Sequence, residues 1–236
     1  MRPLLFLGLA VMLGVRLTAA PVQFASGSAR TSLVELYTSE GCSSCPPAER
    51  WLATLRDEPG LWRDFVPVAF HVDYWNRLGW PDRFSTREFT QREYAYAAAW
   101  ASPSVYTPCV VRDGAELRGS RDLKPTGEPA GQLTVRYDGT NVHAEFSPAS
   151  PRAGEAFEIH AVILGGGITS KVAAGENSGE TLHHEFIALK LAQAPLGRDV
   201  ALAVPAVAGV ARHALAVWVT RKGELAPLQA TGGWLD

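Results

Sequence analysis

A chain of 236 residues, 47% hydrophobic and 19% charged, has the length for one large or two small domains and ample apolar content for a core. A formal net charge of -2 offers no basic face for nucleic acid. No low-complexity stretch argues for disorder, and no internal repeat shows a convincing period.

The first residues read as a targeting signal. Met1-Arg2 is a short positive start, Leu4 to Val15 is a continuous apolar run, and Thr18-Ala19-Ala20 supplies small residues. Arg16 interrupts the run before the roughly 20 apolar residues of a transmembrane helix. Pro21 is a poor residue to follow a cut, and Ser26-Gly27-Ser28-Ala29 offers a second cleavage point. Residues 1–29 are therefore set aside as a signal peptide and short N-terminal segment, with no stable membrane span after cleavage. Export to an oxidising compartment follows, as a periplasmic or secreted bacterial protein.

The stretch around which the chain is organised comes next. Leu33 to Thr38 is an apolar, β-branched run that reads as a buried strand. Ser39-Glu40-Gly41 makes a turn, Cys42-Ser43-Ser44-Cys45 follows, and Pro46-Pro47 open a helical pattern from Ala48 to Arg56. Strand, turn, Cys-x-x-Cys and helix N-terminus is the arrangement of thioredoxin-like redox sites. A thiol there meets unpaired backbone N–H groups and the positive end of the helix dipole, which favour the reactive thiolate. Cys42, expected to be the more exposed, would attack a disulfide and Cys45 would resolve the mixed disulfide. A zinc site would need two more Cys or His at knuckle spacing, and none is present. An inert disulfide remains open, although a two-residue loop gains little from cross-linking.

After Glu58-Pro59-Gly60, Phe65 to Val72 reads as a second buried strand with His71 at its C-terminal end. There His71 is a candidate proton shuttle or metal ligand, and Asp73 either orients it or caps the following loop. Tyr74, Trp75 and Trp80 then line a peptide groove or cover the sheet. A capping box, Ser85-x-x-Glu88, opens a helix through Trp100. Val105 to Val111 is a third strand, with Thr107-Pro108 at its start where a cis proline is expected opposite the reactive cysteine. Arg112-Asp113-Gly114-Ala115 is a hairpin turn leading to a partner strand, Glu116 to Gly119. The order β-α-β-α-β-β predicts an α/β, thioredoxin-like domain over residues 30–125.

Lys124 to Gly131 is rich in Pro and Gly and reads as a linker. Beyond it, Leu133-Val135-Tyr137, Val142-Ala144-Phe146, Phe157-Ile159-Ala161-Ile163 and Leu215-Val217-Val219 alternate with period two, predicting a small antiparallel β-sandwich-like domain over residues 130–236. His183 and His184 fall on opposite faces of a strand, so they are expected to be structural rather than to share a metal. His143, His160 and His213 have no ligand partner at useful spacing. No phosphate loop, nucleophile elbow or paired-carboxylate motif appears, and no cofactor is expected.

The set Glu35 to Ala48, Phe70-His71-Val72-Asp73-Tyr74-Trp75, Leu78-Gly79-Trp80 and Val105-Tyr106-Thr107-Pro108 resembles the secreted bacterial family catalogued as domain of unknown function 1223. Gly175-Glu176-Asn177-Ser178-Gly179, with Leu182 and His184, is similar as well. The resemblance runs from about Leu33 to the C-terminus. It implies a thioredoxin-like domain followed by a β-rich domain, in an exported protein. In that pattern the residue after Thr-Pro is usually Gln; here it is Cys109. A third thiol there would compete for Cys42, join a metal site or serve as a small apolar filler.

The function read from the sequence is thiol–disulfide oxidoreduction through Cys42 and Cys45, with Thr107 and Pro108 aligning a protein or small-molecule substrate. His71, Asp73 and Cys109 are accessory candidates. Two other readings stay open: a metal- or copper-handling protein using Cys42, Cys45 and either His71 or Cys109, and a binding module in which the disulfide is only a staple.

Overall fold

The structure, a computed structural model, describes residues 20–119 and 121–235. Of the expected signal peptide and N-terminal segment, residues 1–29, the first 19 lie outside them. In chain order the elements are β1 (Val22–Ala25), β2 (Ser32–Thr38), α1 (Pro46–Thr54), β3 (Phe65–His71), α2 (Arg87–Ala99), β4 (Cys109–Arg112) and β5 (Ala115–Glu116). Then come β6 (Gly131–Tyr137), β7 (Asn141–Pro148), β8 (Phe157–Gly166), β9 (Ile168–Lys171), β10 (Thr181–His184), β11 (Ile187–Pro195), β12 (Val200–Ala201), β13 (Arg212–Arg221) and β14 (Pro227–Trp234). Fourteen strands against two α-helices among the described residues make this a mostly β fold. Strands and helices alternate in the first half, but the chain as described is mostly β rather than the expected α/β.

An eight-stranded mixed sheet, in the order β14-β13-β8-β11-β3-β2-β4-β5, forms the spine. β2 lies parallel to β3 over its whole length and antiparallel to β4. The β4–β5 hairpin turns at Asp113-Gly114, both at positive φ (51° and 85°), as a two-residue Asp-Gly turn requires. A four-stranded sheet, β1-β6-β7-β12, and the β9–β10 hairpin complete the architecture.

The two stretches expected as separate domains share the large sheet. β3 pairs with β2 on one edge, and its other edge would be left open by the first half alone. β11 covers it: Ile187 sits opposite Ala69, and the Ala69 amide donates to the Phe186 carbonyl at 2.8 Å. A consequence is that β8 and β13 have apolar side chains on both faces. Ile159, Ala161, Ile163, Leu215, Val217 and Val219 pack with Leu133, Val135 and Val142 of the small sheet. Val162, Leu164, Ala214, Ala216 and Trp218 join the core built on β2 and β3. The second half is thus sandwich-like on one side and continuous with the first half on the other.

Two local expectations are corrected. The segment before Ala29 belongs to the fold: β1 pairs antiparallel with β6 from Val22↔Tyr137 to Ala25↔Thr134. The Leu133 amide donates to Ser26 Oγ at 3.0 Å, and Phe24 packs into the second core. A cut after Ala29 would remove this strand. At the second helix the N-cap is Thr86, whose Oγ1 accepts from the Phe89 amide at 3.2 Å. Ser85 is not the cap; its hydroxyl donates to the Asp82 carbonyl at 2.8 Å.

Candidate functional site

The Cys-x-x-Cys segment lies between the C-terminal end of β2 and the first turn of α1. Cys45 is the N-cap of α1, and the Ala48 and Glu49 amides donate to its carbonyl at 2.9 and 3.1 Å. Pro46 and Pro47 occupy the first helical positions, where they bring no unpaired N–H. Cys42 and Cys45 form a disulfide with Cα atoms 5.4 Å apart. Both residues are 0% exposed, which corrects the expectation of an exposed Cys42. Only Ser43 and Ser44, between them, face solvent.

Three segments close over this loop. Thr107-Pro108 is a cis peptide, and the Thr107 carbonyl lies 3.9 Å from Cys42 Sγ and 3.4 Å from Ser44 Oγ, accepting from the latter. Trp75 donates through Nε1 to Thr107 Oγ1 at 2.7 Å, and its Cβ would stand 3.1 Å from a Cβ at Gly41, so a side chain there meets the indole stem. From the second half, Asn177 donates to the carbonyls of Glu40 and Cys42, both at 2.9 Å. Glu176 accepts from the Ser43 amide and hydroxyl at 3.1 and 2.7 Å, which holds its carboxyl below the usual range.

Below the loop, on the α1 side of the sheet, lies a buried ionisable cluster. His184 Nδ1 stands 2.5 Å from Glu49 Oε2, and its Nε2 lies 3.3 Å from Glu40 Oε1, off the hydrogen-bond line. His71 Nδ1 is 2.7 Å from Asp82 Oδ2, which also accepts from the Glu40 amide at 2.9 Å. Thr38 Oγ1 donates to Glu49 Oε1 at 2.6 Å, and Trp80 Nε1 to Glu40 Oε2 at 2.7 Å. Burial on its own would lower the His184 pKa, but contact with Glu40 and Glu49 outweighs it and raises it to about 10. In the same way Asp82 overcomes burial to raise His71. The three carboxyls are held below their usual range despite burial, Glu40 and Glu49 mainly by His184 and Asp82 by His71.

Residues 33–220 match the sequence pattern of the family described as "Protein of unknown function (DUF1223)". The chain belongs to this family. Among solved structures, a crystal structure of an Agrobacterium tumefaciens protein is similar at 25% identity and a TM-score of 0.62, covering 87% of this chain and 95% of that one. HBP35 of Porphyromonas gingivalis is similar in fold, at 11% identity and a TM-score of 0.57, covering 89% of this chain and 77% of that one. No curated protein matches the chain.

Within this DUF1223 chain the sequence-nominated residues separate into two groups. Cys42, Cys45, Thr107 and Pro108 meet at one point. His71 and Cys109 do not: β3 and β4 flank β2, with His71 beside Thr38 and Cys109 beside Tyr37. Adjacent strand residues point to opposite faces, so no single ion spans both His71 and Cys109. Cys109 is 3% exposed; burial first, then the charges of Glu93 and Glu116, push its thiol up to about 12, the reverse of a reactive cysteine. Asp73 does not reach His71. Its carboxylate accepts from Thr90 Oγ1 at 2.6 Å, tying the loop to α2, and Asp82 orients the imidazole instead.

Its position beside His183 marks His184 as structural. The two do face opposite sides: His183 is exposed and 3.2 Å from Thr169 Oγ1, while His184 is 2% exposed and meets Glu49 across 135 positions of sequence. Glu40, Glu49, Asp82 and Asn177 had no local signal at all. Asn177 and His184 were visible only as part of the family pattern.

Proposed function

We propose that this protein is an exported, thioredoxin-like thiol–disulfide exchange protein acting through Cys42 and Cys45. The observation that carries the reading is the meeting of the disulfide, the N-terminus of α1 and the cis Thr107-Pro108 carbonyl at one point. The order β2-α1-β3-α2-β4-β5, with β2–β3 parallel and β4–β5 a hairpin, supports the thioredoxin-like assignment. The apolar leader pattern and the oxidised cysteine pair support a periplasmic or secreted location.

In the reducing direction the Cys42 thiolate attacks one sulfur of a substrate disulfide. The substrate S–S bond breaks, a Cys42–substrate disulfide forms, and one substrate thiolate leaves. The Cys45 thiolate then attacks Cys42 Sγ, re-forming the internal disulfide and releasing the second substrate thiolate. Two electrons pass from the cysteine pair to the substrate, and an external dithiol restores the reduced pair. The carbonyl of Thr107 is the acceptor along which an extended substrate backbone would align. No cofactor enters this scheme, and the partner is a protein or small-molecule disulfide or thiol.

The complete burial of both sulfurs favours a second reading, a binding module stapled by an inert bridge. One measurement separates the two. A thiol-labelling titration of the pair across a glutathione series, giving a potential within the range of about -120 to -270 mV, supports exchange. A potential below about -300 mV supports the staple. With insulin as substrate, Cys42→Ser abolishes turnover if exchange is the activity, and unchanged turnover overturns it.

A further inference from the structure

We propose that Glu49, His71 and His184 form a binding site for one divalent transition-metal ion of the zinc class. One ligand atom from each lies within 4.8 Å of the other two, and all three residues are buried. The ligands come from three separate elements, α1, β3 and β10, so the site exists only in the folded chain.

The hydrogen-bond pattern is what distinguishes this cluster from an ordinary buried ion pair. A metal-bound imidazole uses one ring nitrogen for the ion and gives the other N–H to a carboxylate or carbonyl, which fixes the tautomer. His71 is arranged in that way. His71 Nδ1 is held by Asp82 Oδ2 at 2.7 Å, and its Nε2 is buried with no hydrogen-bond partner. His184 Nε2 lies 3.3 Å from Glu40 Oε1 without a hydrogen bond between them, and its Nδ1 is on the Glu49 side. Glu49 is positioned in turn by Thr38 Oγ1, which donates to its Oε1 at 2.6 Å and leaves Oε2 facing His184 Nδ1. Asp82 and Glu40 are themselves fixed, Asp82 by the Glu40 and Phe84 amides and Glu40 by Trp80 Nε1.

His71 Nε2, at a residue 0% exposed, has no hydrogen-bond partner, and neither do His184 Nε2 and Glu40 Oε1 in the same cluster. A buried polar atom without a partner is unfavourable, and a metal ion supplies that partner. Three carboxylates, Glu40, Glu49 and Asp82, surround the two imidazoles in a region closed to solvent, and a divalent ion bound to neutral imidazoles would supply the same positive charge that two ring protons supply without it.

Two imidazoles and one carboxylate are borderline-soft donors suited to Zn²⁺, which binds them at about 2.0–2.2 Å. Ligand atoms on such an ion stand about 3.4 Å apart, so separations near the 4.8 Å limit must shorten while the 2.5 Å contact between Glu49 Oε2 and His184 Nδ1 opens. Three protein ligands leave a fourth position for a small ligand such as water. The bound ion would tie β10 to α1 and β3, one helical turn below Cys45. This site uses neither Cys42 nor Cys45, so it stands independently of the proposed exchange chemistry.

The test begins with the full mature protein, treated with EDTA, dialysed and titrated with Zn²⁺, with metal content read by elemental analysis and stability by thermal melting. One equivalent bound and a Tm that rises with Zn²⁺ concentration are expected. Absence of stoichiometric binding by the wild type overturns the proposal whatever the variants do. Co²⁺ in place of Zn²⁺ gives visible absorption bands whose intensity reports low coordination number. His71→Gln and Glu49→Gln are each expected to weaken binding at least tenfold while the far-ultraviolet circular dichroism keeps its wild-type shape. If one of them unfolds, the other carries the comparison. A Cys42→Ser, Cys45→Ser double variant is expected to bind as the wild type does. Binding lost in that double variant but kept in His71→Gln places the metal on the cysteines and overturns the assignment.

Discussion

Asn177 donates one amide hydrogen to the Cys42 carbonyl at 2.9 Å and reaches the Glu40 carbonyl at the same distance, so one side chain from the second half pins both ends of the turn before the disulfide. Both bonds are buried. Asn177→Ala takes a donor from both carbonyls; Cys42 keeps the Cys45 amide at 3.2 Å, and the loss at Glu40 costs about 1–3 kcal/mol. For a chain of this size each kcal/mol corresponds to about 2–4 °C in Tm. A drop of several degrees is therefore expected, together with faster labelling of the reduced cysteines. A melting curve that superimposes on the wild type would show that the loop does not depend on this clamp.

Trp75 controls approach to the sulfurs from the other side. Its indole N–H is held by Thr107 Oγ1 at 2.7 Å, and its stem lies against Gly41. With both cysteines fully buried, the rate of attack by an external thiol depends on access as much as on thiolate chemistry. Trp75→Ala is expected to speed reduction of the Cys42–Cys45 bond by dithiothreitol about tenfold while leaving its equilibrium potential nearly unchanged. Stopped-flow reduction kinetics beside a glutathione titration separate the two quantities. An unchanged rate would mean that the barrier lies elsewhere, with the 175–179 loop the next candidate.

The elements nearest the cysteines were legible because local rules determine them. An apolar run ending at Thr38, a Ser-Glu-Gly turn and two prolines at a helix start leave the chain little choice. β8 was harder. Ile159, Ala161 and Ile163 alternate as an exposed sandwich strand would, yet Val162 and Leu164 fill the opposite face. That second face makes sense only once β11 has closed the edge of β3 and joined the halves into one sheet. The ionisable cluster was out of reach for the same reason. His71, Glu49 and His184 each look ordinary in their own segments, and the Glu49–His184 contact spans 135 positions. Asp82, rather than the neighbouring Asp73, holds His71 because the loop folds back over the end of the sheet; nothing in the spacing distinguishes the two carboxylates.

On the opposite face of β2, Glu35 and Arg92 form an ion pair at 2.6 Å with side chains 0% and 8% exposed. Tyr37 and Tyr96 add hydroxyl donors to the same carboxylate, at 3.0 and 2.5 Å. Arg92 also lies against the rings of Trp218, Tyr96 and Phe70. Arg92→Met leaves the carboxylate buried without its counter-charge and is expected to cost about 3–5 kcal/mol in urea denaturation. Adding Glu35→Gln removes the orphaned charge, and the double variant is expected to recover most of that loss. A double variant as unstable as Arg92→Met would instead trace the cost to lost packing of the guanidinium against the aromatic rings.

Glu93 on α2 supplies a pH signature distinct from that of the histidines. It is 3% exposed, its Oε1 has no hydrogen-bond partner, and Tyr74 donates to its Oε2 at 3.3 Å. Burial pushes its pKa up to about 7. Between the ordinary glutamate value of about 4.3 and about 7, the folded chain holds a proton that the unfolded chain has released. Stability contributed by this group therefore falls as pH rises through that window and levels off above it, by up to about 1.4 kcal/mol per pH unit. Glu93→Gln keeps the neutral, hydrogen-bonding shape and removes the titration. The difference in unfolding free energy between variant and wild type is thus expected to grow in favour of the variant from about pH 4.5 to about pH 7 and then stay constant. Taking the difference cancels the contributions of His160 and the other buried groups, which are common to both proteins. Parallel stability curves across the window would mean that the charged form of Glu93 is accommodated without penalty, through a donor reaching Oε1.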